Sequence, residues 1–129
     1  MKIARNPQNI HPPVAPYVHQ IEVTDPQRWL TLSGQIGMMP DGTIPEDATA
    51  QLKVALENIK KNLDSADMEV QDITKLVFYL VGDMDANQRK EMISDFFGEH
   101  LPCTTLMYVV ALATPALKVE IDAWACKEL

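Results

Sequence analysis

The side chains able to do chemistry are few and scattered. His11, His19 and His100 lack the i, i+4 spacing of a helical metal site. Cys103 and Cys126 show no metal-ligand spacing and are expected to be free, partly buried thiols. Gly34 and Gly37 are not followed by Gly-Lys-Ser/Thr, so they form no phosphate loop. No Ser-His-Asp or Cys-His arrangement can be read from spacing. Polar side chains also stand beside or within the apolar runs: Ser33 in Ser33-Gly34-Gln35-Ile36-Gly37, Glu120 between Lys118 and Asp122, Tyr17 after Ala15-Pro16, and Thr104 after Pro102-Cys103. A carboxylate can serve as a general base; hydroxyls offer neutral hydrogen bonds. Each also has a plain reading. Ser33 closes a turn before glycine. Glu120 is the solvated side of an alternating strand. Tyr17 is an interface aromatic, sharing a strand face with His19. Thr104 is a strand residue.

The elements that must position them follow from periodicity. Leu117, Val119, Ile121, Ala123 and Ala125 alternate with Lys118, Glu120 and Asp122, the period of a strand with one buried face. Leu106–Ala111 is apolar on both faces and calls for cover on both. The Ala113-Thr114-Pro115 break between these runs suggests a terminal hairpin. Tyr17–Val23 and Trp29–Leu32 read as two strands of an earlier hairpin, turning at Asp25-Pro26-Gln27-Arg28. The arm before Tyr17 is Pro-rich, with room for a short edge strand near Ile3. Met38–Pro45 is a loop with an Asp41-Gly42 turn. Leu52, Ala55, Leu56, Ile59, Leu63 and Ala66 make one helical stripe that starts near Asp47 and leaves Gln51, Lys53 and Glu57 outside it. Ile73–Val81 is a strand apolar on both faces. A second helix spans about Asp85–Phe97, with Ala86, Met92, Ile93, Phe96 and Phe97 inward and Gly98 as its stop. Strand, strand, helix, strand, helix, strand, strand describes a single α+β domain over residues 1–129, with two helices on one face of a mixed sheet.

Those helices cover one face only. Val77, Tyr79, Val81 and one side of Leu106–Ala111 are left open, and an apolar patch of that kind marks an interface. Self-association by cyclic symmetry is the simplest cover.

Pro102-Cys103-Thr104-Thr105 opening a hydrophobic strand, Val119-Glu120-Ile121-Asp122-Ala123 near the end, and Leu32-Ser33-Gly34-Gln35-Ile36-Gly37 upstream together resemble the Rid family of reactive intermediate deaminases. The resemblance runs from about Pro16 to Ala125. It implies a chorismate-mutase-like fold, a homotrimer, and a ligand cleft between subunits in which small enamines and imines are hydrolysed to ketoacids and ammonia. It implies substrate-binding roles for Tyr17, Ser33 and Gly34, and a catalytic, water-positioning role for the Glu120 carboxylate. The family's carboxylate-gripping arginine stands two places after the proline, where this chain has Thr104. Lys90 falls where Arg-bearing members have an asparagine, and Leu106 near their pocket cysteine. A guanidinium fork binds carboxylates bidentately; a threonine hydroxyl cannot. The lost charged hydrogen bond is worth roughly 1.5–3 kcal/mol, so ordinary 2-imino acids are expected to bind poorly. A substitute cation would change that, and Arg28, Arg89, Lys90 and Lys118 are the candidates. A cationic cleft favours an enzyme; a neutral apolar one favours a module that holds a metabolite without turnover.

Composition narrows the partners. The net charge is -7, with 11 basic against 18 acidic residues and no basic run. Nucleic acid is an unfavourable partner for such a surface, which places a ribonuclease last among the readings. No apolar run approaches 18 residues and no signal-peptide pattern opens the chain, so a soluble, cytoplasmic protein is expected, without membrane contact. No metal or cofactor is called for; the expected ligand is a small molecule.

Overall fold

The computed structural model describes residues 1–129. Seven strands and two α-helices follow in chain order: β1 (Lys2–Arg5), β2 (Gln20–Val23), β3 (Gln27–Thr31), β4 (Gln35–Ile36), α1 (Ala48–Ser65), β5 (Ile73–Leu80), α2 (Ala86–Phe97), β6 (Cys103–Tyr108) and β7 (Val119–Glu128). The main sheet has the order β3-β7-β5-β6, with β4 also paired to β7. β5 and β6 are parallel; β3, β4 and β5 are all antiparallel to β7. This is the expected α+β layer with a mixed sheet.

Both helices begin where capping chemistry directs. The Asp47 carboxylate accepts from the Ala50 amide, and the Asp85 carboxylate from the Gln88 amide. Gly98 ends α2 at φ 60°, a conformation glycine adopts without a side-chain penalty. The stripe Leu52, Ala55, Leu56, Ile59 and Leu63 packs on Leu76, Phe78 and Leu80 of β5 and on Val119, Ile121, Ala123 and Ala125 of β7. Phe97 is buried with them, and Met92, Ile93 and Phe96 pack against that core. The alternation of β7 is therefore a true core face.

Four expectations need correction. First, the early hairpin is absent: β2 pairs with the N-terminal strand β1, and β3 pairs with β7. Backbone bonds between Met1 and Thr24 complete the β1-β2 ladder, so β2 has no need of β3. Tyr17 lies outside any strand. Second, β6 and β7 form no hairpin, because β5 lies between them. The apolar character of β5 on both faces reports its central place, not its connection. Third, the strand expected at Leu106–Ala111 starts earlier, at Cys103, and ends at Tyr108. It is an edge strand; Leu106, Met107 and Tyr108 are exposed. Fourth, Gln51 is not an outer residue of α1 but fully buried, whereas Ala86 on α2 is exposed.

Gln51 shows how a polar residue can sit in a core. Its Nε2 donates to the carbonyls of Pro45 and Ala116, at 2.8 and 2.9 Å. Its Oε1 accepts from the Lys118 amide at 2.8 Å. The side chain ties α1 to the segments before it and to the approach of β7. Farther along α1, Asn58 donates to the carbonyls of Ile36 and Met38, both at 3.0 Å, and Asn62 donates to Gln35. These bonds hold β4 against α1. Gly37 permits the approach, since a Cβ there would stand 2.6 Å from the Gln51 Cα.

Candidate functional site

The face of the sheet away from the helices carries the first group. In the β5-β7 register Tyr79 lies opposite Glu120, and Val77 opposite Asp122. These positions alternate with Leu76, Phe78 and Leu80, which point into the helix-covered core. Glu120 is half-buried and takes part in none of the chain's ion pairs. Its side chain lies across Gly34: a Cβ on that glycine would meet the Glu120 Oε2 at 2.0 Å and Cγ at 2.8 Å. Ser33, the next residue, is exposed. The strip that holds Ser33 and Gly34 is the one that Asn58 and Asn62 fasten to α1. Glu120, Gly34 and Ser33 thus form one constellation: an unpaired carboxylate against open backbone, with a hydroxyl-bearing residue alongside.

Asp122, two residues along, is engaged otherwise. It accepts a 2.8 Å hydrogen bond from the Tyr79 hydroxyl. That bond, followed by burial and the nearby Asp122 charge, pushes the Tyr79 phenol above its usual range. Glu120 and Asp122 are therefore not equivalent surface acids.

The second group lies on the other face. Thr104 pairs with Leu76, and Leu106 with Phe78, so both belong to the helix-side register. There a cleft of about 210 Å³ opens between the β6 edge, α2 and the arm at Ala15-Pro16. Phe78, Ile93, Phe97 and Leu106 form its apolar lining. Thr104, Arg89 and Lys90 supply polar groups, with His100 at one end. Thr104, Lys90 and Leu106, which come from β6 and α2, line one and the same cleft. Tyr17 follows the Pro16 wall; it is half-buried, its hydroxyl accepts from the Val14 amide at 3.3 Å, and its ring stands edge-on to His19.

The sequence-derived residues therefore separate into two groups. Glu120 lies over Gly34 on the open face, next to the exposed Ser33 in the chain, while Thr104 stands on the helix side, with β5 between β6 and β7. One chain does not bring them together. Of the candidate cations, Arg89 and Lys90 reach the cleft. Arg28 instead donates to the Ala66 carbonyl behind α1, and Lys118 lies in a separate groove with Glu46, Asp47, Asp83 and Asp85. Sequence reasoning missed Ala15, Ile93 and Phe97 as cleft walls; the i, i+4 spacing of Ile93 and Phe97 gave the inward face of α2, but nothing local joins that face to Ala15 or to β6.

The cysteines are free, Cys126 buried and Cys103 half-buried. Burial pushes both thiols up. No three His, Cys, Asp or Glu side chains cluster as metal ligands would, and no helix is long and apolar enough to cross a membrane.

Comparison with known proteins fits this architecture. The family described as Endoribonuclease L-PSP matches residues 8–127. A Yersinia pestis protein of the Rid family, YyfB, superposes with a TM-score of 0.85 at 28% identity, covering 98% of each chain. Escherichia coli TdcF, named as a reactive intermediate deaminase, is 30% identical over 88% of each chain; its structure with bound serine superposes with a TM-score of 0.71, covering 96% of this chain and 94% of that one. The 2-iminobutanoate/2-iminopropanoate deaminase of E. coli is 28% identical, over 93% of this chain and 94% of its own. The chain belongs to the Endoribonuclease L-PSP family, the Rid proteins among its members.

Proposed function

We propose that the protein is a Rid-type deaminase that hydrolyses a small reactive imine or enamine and releases ammonia. Its relatives named as deaminases support the general class. The observation that carries the reading for this chain is the Glu120 carboxylate, unpaired and laid across Gly34 on the open face of the sheet. Water adds to the iminium carbon, forming a C–O bond as the C=N π pair moves to nitrogen. Glu120 positions that water and takes its proton. Glu120 returns that proton to the carbinolamine nitrogen; the C–N bond breaks to release ammonia as the hydroxyl oxygen forms the C=O bond and gives its proton back to Glu120, leaving the keto product. Ser33 and Tyr17 hold polar groups of the substrate.

A working site on this reading needs two copies of the chain. The Glu120 group and the Thr104 cleft occupy opposite faces, so a homotrimer with each cleft between neighbouring subunits is the arrangement that joins them. Thr104 in place of an arginine leaves space and removes a fork, so the substrate range is altered; longer 2-imino acids are served better than 2-iminopropanoate. The rival reading, a cleft that holds a metabolite without turnover, predicts a neutral cleft. Arg89 and Lys90 favour the enzyme. With the chain's acidic surface, a ribonuclease remains the weakest of the three readings.

Ammonia release from 2-imino acids generated in situ tests the proposal. Turnover is expected in the wild type and is lost in Glu120→Gln, while Asp122→Asn, which keeps an acceptor for Tyr79, retains it. Equal rates in all three proteins would remove Glu120 from the site.

A further inference from the structure

In a chain of net charge -7, the cleft beside α2 has the opposite sign. Arg89 and Lys90 line it, and no aspartate or glutamate does. Neither cation is neutralised elsewhere: both are absent from the ion pairs of the chain. The groove around Lys118 has the reverse balance, with Glu46, Asp47, Asp83 and Asp85 surrounding a single cation. Arg89 is half-buried, and its Nη1 donates to the Tyr108 hydroxyl at 2.6 Å. A phenol holds the guanidinium in place without cancelling its charge. The other donors of the fork stay available.

We propose that Arg89 and Lys90 are the specificity-determining anion anchor of this cleft, in the role that Thr104 cannot fill. The anchor is carried by the helix instead of the strand. The ligand class is a small monocarboxylic acid with a short aliphatic tail: carboxylate toward Arg89 and Lys90, tail against Ile93, Phe97 and Leu106. At roughly 30 Å³ per water-sized group, the cleft holds on the order of seven such groups. The inference rests on the deaminase reading of the same site and deepens it by naming what grips the substrate.

A purely structural role for Arg89, tying α2 to β6 through Tyr108, is the alternative. Binding of 2-oxobutanoate, a stable keto acid, separates the two, with its neutral amide as the comparison. Measured by calorimetry on the full chain, the wild type is expected to prefer acid to amide. Arg89→Met and Lys90→Met should each weaken acid binding roughly 10- to 100-fold, the range for a lost charged hydrogen bond, and leave the amide unaffected. If Arg89→Met fails to fold, Lys90→Met and a salt titration still decide, because Lys90 makes no side-chain hydrogen bond within the chain and acid affinity alone should fall with salt. Equal acid affinity in Lys90→Met and wild type with no salt dependence, or a wild type that does not prefer the acid, overturns the anchor. Acid binding through these cations without ammonia release supports the anchor and sinks the deaminase reading. Turnover with KM unchanged in both variants does the reverse.

Discussion

At the scale of single residues, Gly34 and Glu120 make the sharpest case. Gly34 has no positive φ to explain it; its hydrogen is needed because the Glu120 side chain lies on it. Gly34→Ala would force the carboxylate aside. The nearest atoms belong to a flexible side chain, so the fold can yield at little cost. Stability should change by about 1 kcal/mol or less, in the range of surface substitutions. Turnover should fall as far as it does in Glu120→Gln, since a base displaced by an ångström is no longer in reach of its water. A thermal melt and an ammonia assay on the same sample check this. Wild-type turnover in Gly34→Ala would mean that the position of Glu120 does not matter to the reaction.

At the scale of elements, the periodic parts of the fold were legible and the pairings were not. The α1 stripe, the helix starts near Asp47 and Asp85 and the alternating β7 declare themselves because their signals are local. The place of β5 between β6 and β7 does not, since a doubly apolar strand looks the same whichever neighbours it has. The site was legible in the same uneven way. Ser33, Gly34 and Glu120 could be named only through a family resemblance, and the structure lays Glu120 against Gly34; the cleft walls come from the N-terminal arm, β5, α2 and β6, which no single spacing connects. Gln51 is the instructive failure. By composition it is an ordinary outward polar residue of a helix, and only the fold shows that it closes hydrogen bonds to Pro45, Ala116 and Lys118. Gln51→Leu fills the space but leaves those buried backbone groups without partners. The loss should be about 3 kcal/mol or more, at roughly 1–3 kcal/mol per orphaned group. Urea unfolding should show a lower midpoint at unchanged slope. A shift within about 0.5 kcal/mol would show that water or a rearranged loop replaces the amide.

At the scale of the whole molecule, the question is what covers the face opposite the helices. Val77, Tyr79 and Trp124 are only half-buried there, Met107 is exposed, and Trp29 at the far edge is 59% exposed. The Glu120 group lies on that face and the Thr104 cleft on the other. A trimer in which each subunit lends one half-site to its neighbour answers both observations. Light scattering should then give about three times 14.5 kDa, and a monomeric mass at micromolar concentration would end the proposal. Mass alone does not show that the halves are shared, but mixing does. Glu120→Gln spoils one half-site; Leu106→Trp, which fills the cleft from an exposed edge position, spoils the other. Each variant alone should be inactive. Co-expressed in equal amounts and randomly assembled, about one quarter of the clefts would combine two intact halves, because each half is drawn independently from the two chain types. Recovery of about one quarter of wild-type turnover is therefore expected. A mixture as inactive as its parents, in trimers shown to contain both chains, would mean that each site is built within one subunit.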